Sequence, residues 1–252
     1  MFPFEWLAVL YFAALALAAV ALRRGRPRAR RAFLDSIALV VMAMVAGWTT
    51  PTDVRAWLGH AYLLAGYRIP SLLAPTAADT RFERWLVETD RAWRPSTSAI
   101  PRPMAHIFEV AYLLCYPLVP AAFAVVWARG DDNHINRFWM AVLASGFACY
   151  GLLPWLASRP PRSLPDAERP GSGLARFNVR VLERASHGLN TFPSGHVGVA
   201  VAAALSVWPV SPAAAIVFGV VATGVAIGAV TGRYHYVPDV VIGAAVGLLL
   251  GS

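Results

Sequence analysis

Two short segments, far apart in the chain, carry residue types at spacings that could do chemistry. NTFPSGH at 190–196 sets Ser194, Gly195 and His196 at the start of an apolar run, and HYVPD sets His235 four residues before Asp239 at the start of the last one. In a first helical turn that four-residue spacing lets a carboxylate reach one imidazole nitrogen. The tautomer is then fixed and the other nitrogen is left as a nucleophile. Pro238 is tolerated there because its missing N–H costs nothing in a first turn. The start of the 196 helix offers free backbone N–H groups and the positive end of the helix dipole to an anion. Gly195 lets an oxyanion approach the backbone, Ser194 adds a hydroxyl donor, and His196 is placed to protonate a leaving oxygen. Singly, each has a plainer reading as a helix cap. Ser194 lacks the G-x-S-x-G surroundings of a hydrolase nucleophile.

A third segment, SRPPRSLPDAERPG, supplies Arg159, Arg162 and Arg169. Guanidinium groups clamp phosphate oxygens in pairs, whereas a lone loop arginine more often meets solvent or lipid head groups. Two imidazoles, a carboxylate, a helix start and clustered arginines together point to phosphoryl transfer. The carboxylates are too few and too scattered for a two-metal site, and no cofactor is expected. Glu109, inside an apolar run, is costly unless paired. His187 reads as a loop histidine.

The elements that must position these residues read as membrane helices. Hydrophobic residues make up 58% of the 252 positions and charged residues 14%, with mean hydropathy +0.53. A typical soluble domain carries about 25% charged residues. The expected fold is an all-α polytopic bundle of about seven transmembrane helices, at 5–22, 33–48, 106–127, 138–156, 196–208, 213–230 and 237–250. The proline-broken segment around AWLGHAYLLAG, residues 56–66, reads as interfacial or re-entrant. The first run is no signal peptide, since its positive charges follow it. Trp48, Trp127 and Trp208 fit an aromatic belt. Cys115 and Cys149 show no metal-ligand spacing.

The net charge of +8 rests on arginine alone, as the chain has no lysine. Nucleic-acid binding is not expected, because the arginines sit in loops between spans; lipid phosphates are the natural partners. RRGRPRARR at 23–31 marks a cytoplasmic loop by the positive-inside rule. With 56–66 not crossing, the parity of spans brings 159–192, the head of the 196 helix and TGRYHYVPD to one face, the outer face of a cell membrane. The chain divides into an N-terminal hairpin with an interfacial segment, 1–104, and a catalytic core, 105–252.

In sequence order these motifs resemble the type 2 phosphatidic acid phosphatase (PAP2) superfamily, marked by K-x6-R-P, P-S-G-H and S-R-x5-H-x3-D. PSGH at 193–196 and His235/Asp239 match fully; RSLPDAERP matches with Arg162 in place of lysine, ending at Arg169–Pro170. Where the third motif places its arginine this chain has Ala229, and Arg233 is the nearest substitute. SRPPR and HYVPD are also similar to the inositolphosphotransferase and inositol phosphorylceramide synthase-like branch. The resemblance implies a membrane lipid-phosphate phosphatase, or a head-group phosphotransferase delivering to a lipid acceptor, working through a phosphohistidine. His235 would be the nucleophile, Asp239 its orienter and His196 the acid–base group. Arg162, Arg169, Ser194 and Gly195 would hold the phosphoryl oxygens, with Arg159 and Arg233 as further candidates. A non-catalytic lipid-binding or transport protein is the reading from another class, and the intact His196, His235 and Asp239 set argues against it. The lipid and the oligomeric state are not specified by the sequence.

Overall fold

The structure is a computed structural model that describes residues 1–75, 80–93, 101–164, 173–185 and 188–252. Among these residues it is all helical, with one isolated antiparallel bridge between Ser158 and Asn190. Its helices are α1 (Pro3–Leu22), α2 (Ala29–Thr49), α3 (Thr52–Leu72), α4 (Thr80–Trp93), α5 (Arg102–Leu113), α6 (Cys115–Arg129), α7 (Asp132–Tyr150), α8 (Gly173–Ala185), α9 (Gly195–Ser206), α10 (Pro212–Thr231) and α11 (Val237–Gly251).

Among the described residues three helices are long and apolar enough to cross a membrane: α1 extended to Gly25, α2 and α10. A fourth crossing results if α5 and α6, bent by 56°, count as one broken span. The expected number of seven is therefore not met by length and composition. The reason lies in helix length: α9 and α11 have 12 and 15 residues. At 1.5 Å per residue they reach about 18 and 23 Å, short of a hydrocarbon core about 30 Å thick.

The segment read as interfacial is instead the middle of α3, a 21-residue helix running through the bundle beside α1 and α7. At one end the Arg55 guanidinium donates to Glu5, Trp139 Nε1 donates to the Ala56 carbonyl at 2.7 Å, and Phe4 N donates to Asn136 at 3.1 Å. Midway, Tyr11 stacks on Phe147 at 3.8 Å and donates to the Gly66 carbonyl. At the other end Tyr67 meets Tyr150, and Arg26 of the basic loop donates to the Pro154 carbonyl at 3.2 Å. Pro70, near the C-terminus of α3, did not prevent this helix. Phe12, Tyr62, Phe123, Phe138 and Trp139 form the ring-rich core between these helices. Trp48, Trp127 and Trp208 are exposed at the ends of α2, α6 and α9, as a belt requires.

The crossing that positions the PSGH and HYVPD segments is α9 against α11. A methyl group on Gly243 would lie 2.5 Å from the Ser194 carbonyl oxygen, and one on Gly247 2.5 Å from that of Gly198. Small residues four apart let two backbones touch, the favoured way for apolar helices to associate where no hydrophobic force separates them from lipid.

Candidate active site

Tyr236 caps the start of α11, and Asp239 lies in its first turn, fully buried. One carboxylate oxygen of Asp239 accepts from Tyr236 N at 2.9 Å and from Asn190 Nδ2 at 2.7 Å, and faces His235 Nδ1 at 3.4 Å. The four-residue spacing thus places the carboxylate on one ring nitrogen, as the sequence predicts. With the proton on Nδ1, His235 keeps a lone pair on Nε2. His235 N and Tyr234 N both donate to the Ala229 carbonyl, which folds the chain sharply ahead of α11.

Ser194 N donates to the Asp239 carbonyl at 2.9 Å, which joins the heads of α9 and α11. As a result His196 and His235 lie with ring centroids 5.8 Å apart. Ser194 occupies the N-cap position of α9, yet its hydroxyl makes no cap bond. That hydroxyl is buried without a partner among the described residues, so it remains available to an oxygen-bearing ligand. Gly195 also answers to packing: a Cβ there would lie 1.9 Å from the Tyr150 ring, so glycine is required at this position.

The arginines separate clearly. Arg162, with its guanidinium carbon 5.3 Å from the centre of the Tyr234 ring, lines a small pocket of about 20 Å³ with Tyr67, Asn190, Thr191, His196 and His235. Arg159 makes a forked ion pair with Glu83 of α4. Those bonds hold the Glu83 carboxyl below the usual carboxylate range, and Glu83 raises the guanidinium in turn. Arg233 donates to Asp90 of α4 at 2.7 Å and has a left-handed backbone, φ 58°. That conformation costs a non-glycine residue about 1–2 kcal/mol, so its surroundings must hold it there. Arg169 and His187 lie outside the described residues. Glu109 is paired, accepting from Tyr234 Oη at 2.7 Å and from Asn178 Nδ2. Burial, reinforced by Glu109, pushes the Tyr234 phenol up and keeps it a donor. Among the described residues no three His, Cys, Asp or Glu side chains are grouped to hold a metal ion.

Sequence reasoning missed Asn190, Tyr234, Glu83 and Asp90. Asn190 opens the NTFPSGH stretch, and its pairing across the bridge to Ser158 is a long-range fact. The two acids had a legible signal, since Glu83, Leu86 and Asp90 form one buried stripe on α4.

The profile of the PAP2 superfamily matches residues 80–251, more than half the chain and the part that holds this constellation. The chain belongs to the PAP2 superfamily. The match begins at α4, so the PAP2 region includes the helix that pairs Arg159 and Arg233. Membership gives this PAP2 protein a phosphatase- or phosphotransferase-type function and, with its apolar helices, a place in the membrane. No curated protein and no solved structure matches the chain.

Proposed function

We propose that this PAP2 protein is an integral-membrane lipid-phosphate phosphatase acting through a phosphohistidine on His235, without metal. One observation carries the reading: His196 stands where a polar pocket meets an apolar cavity. The polar side holds Arg162, Asn190 and His235. The apolar side, about 360 Å³, is lined by Leu63, Leu64, Val119, Pro120 and Val199, and shares Tyr67 and His196 with the polar pocket. The polar lining of the first suits a phosphate and the apolar lining of the second a hydrocarbon chain, with the ester oxygen between them at His196.

His235 Nε2 attacks phosphorus, the P–O bond to the lipid alcohol breaks, and His196 delivers its proton to the departing oxygen. His196, now neutral, takes a proton from water, whose oxygen attacks the phosphohistidine, releasing phosphate and restoring His235. Arg162, the Ser194 hydroxyl and the Gly195 amide, with Arg169, are assigned to the phosphoryl oxygens, where donors act most strongly as charge develops. The apolar cavity beside His196 also favours a second reading. A lipid hydroxyl seated there would replace water, giving the head-group transferase of the inositol phosphorylceramide synthase type. Purified protein with EDTA, given radiolabelled phosphatidate and, separately, a phosphodiester lipid labelled in its head group with a ceramide acceptor, decides between them. Free phosphate marks the phosphatase, and label on the acceptor marks the transferase. Silence from folded protein favours the non-catalytic reading.

The same reading places the site on the cytoplasmic side of the cell membrane. An outer-facing site follows only if 56–66 does not cross, and α3 runs from one end of the bundle to the other. The loop 23–31, with six arginines in nine residues, lies at the site end through the Arg26–Pro154 contact. Asp53, Asp131 and Asp132 lie at the other end, beside Arg129 and Arg137. The positive-inside rule then assigns the site end to the cytoplasm. Gly25 has open space around it and Asn133 is exposed at the other end, so both accept a cysteine probe. In a background lacking Cys115 and Cys149, Asn133→Cys is expected to react with an impermeant maleimide on intact cells. Gly25→Cys is expected to react only after lysis. The reverse pattern returns the site to the outer face.

A further inference from the structure

Two arginines that the motif order offers to phosphate are already held by carboxylates of α4. Asp90 is buried, 1% exposed, and its two oxygens bracket the nucleophile: one accepts from Arg233 Nη1 at 2.7 Å, two residues before His235, the other from Val237 N at 3.0 Å, two residues after it. Arg233 is the left-handed residue of this turn, and its carbonyl accepts from Arg162 N at 3.0 Å. Two turns earlier on α4, Glu83 accepts from the backbone N and the guanidinium of Arg159, whose carbonyl accepts from Tyr236 Oη at 3.0 Å. Both ends of the His235 turn are thus tied to one amphipathic helix that contributes no group to the polar pocket itself.

We propose that α4 is a positioning clamp for the nucleophile, in which Asp90 holds Arg233 and the first turn of α11 so that His235 faces His196. Arg233 on this view is a positioning residue rather than a phosphate ligand, and Arg162 is the cation that meets phosphate. The proposal rests on the phosphatase reading for its kinetic consequence but not for its structural one. Replacing a carboxylate whose two oxygens are both in use by an amide leaves one of its two donors facing an NH2 group without an acceptor, and the turn it brackets loosens. Residues acting as one unit also show non-additive losses when removed together.

The test uses full-length protein in detergent with five variants: Asp90→Asn, Arg233→Gln, their double, Arg233→Lys and Arg162→Gln. Asp90→Asn and Arg233→Gln are each expected to lower kcat on phosphatidate about tenfold, with KM and the affinity for inorganic phosphate within about twofold of wild type. The double variant is expected to be no worse than the worse single. Both singles are expected to speed amide exchange in the 232–240 peptide, leaving 195–206 unchanged. Arg162→Gln is expected to weaken inorganic phosphate about tenfold or more and to leave exchange at 232–240 as it was. Arg233→Lys keeps the cation and is expected to recover most of the turnover, which covers the case in which Asp90→Asn does not fold. The clamp is overturned if Arg233→Gln weakens phosphate binding while Asp90→Asn does not, if the two losses multiply, or if exchange is unchanged. If wild type turns over no phosphatidate, the phosphatase reading fails, while phosphate affinity and exchange still decide the clamp.

Discussion

His235→Ala is expected to lower phosphate release from phosphatidate by about 10⁴-fold or more, with the protein still folded. The size follows from the covalent route, because without an imidazole at 235 no phosphoenzyme forms and every other group in the pocket loses its partner. Asp239 is then left with Asn190 and Tyr236 N, so the head of α11 keeps two of its anchors. A melting curve close to wild type, measured beside the assay, separates loss of chemistry from loss of fold. Retention of turnover in a folded His235→Ala protein would sink the phosphohistidine route.

His196→Ala is expected to lose about 10²- to 10⁴-fold on phosphatidate, the range for removing a general acid. The loss depends on the leaving group, which distinguishes it from the first. With p-nitrophenyl phosphate the departing phenolate needs little help from a proton, so the first step recovers in the variant. The second step still lacks the base that activates water. A burst of about one p-nitrophenolate per chain followed by slow turnover is therefore expected, the signature of an accumulated covalent intermediate. Equal losses on both substrates, without a burst, would remove His196 from the acid–base role. Tyr67, Tyr112 and Tyr116 surround this imidazole with ring centroids 6.5, 5.8 and 6.0 Å away, so the variant opens space inside a wall of rings.

How much of this was legible in the chain depends on the range of the interactions involved. The His235–Asp239 contact is local, four residues within one helical turn, and the spacing foretold it. The meeting of His196 with His235 was foretold only as a shared face. The bond that produces it, Ser194 N to the Asp239 carbonyl, is a backbone contact between segments some forty residues apart. The helices α1, α2 and α10 were legible because long apolar runs have few alternatives. α3 was not, since Asp53, Arg55, His60 and Arg68 dilute its hydropathy, and its buried Arg55–Glu5 pair forms only when α1 lies beside it. The break between α5 and α6 fell inside one continuous apolar run, and composition does not register a 56° bend. For Gly195 the chain suggested only a ligand's reason, and Tyr150, far away in sequence, adds a packing one.

The glycine seam between α9 and α11 has a mechanical meaning. Where helices meet through side chains, a change in one rotamer can widen or narrow the crossing by a fraction of an ångström. Gly198, Gly243 and Gly247 offer no rotamers, and the two peptide backbones bear on each other directly. His196 stands two residues before the first of these contacts, and Asp239, which orients His235, four residues before the second. The gap between the two imidazoles is therefore set like a fixed caliper, by main chain against main chain, and thermal rearrangement of the surrounding greasy core has no lever with which to reset it.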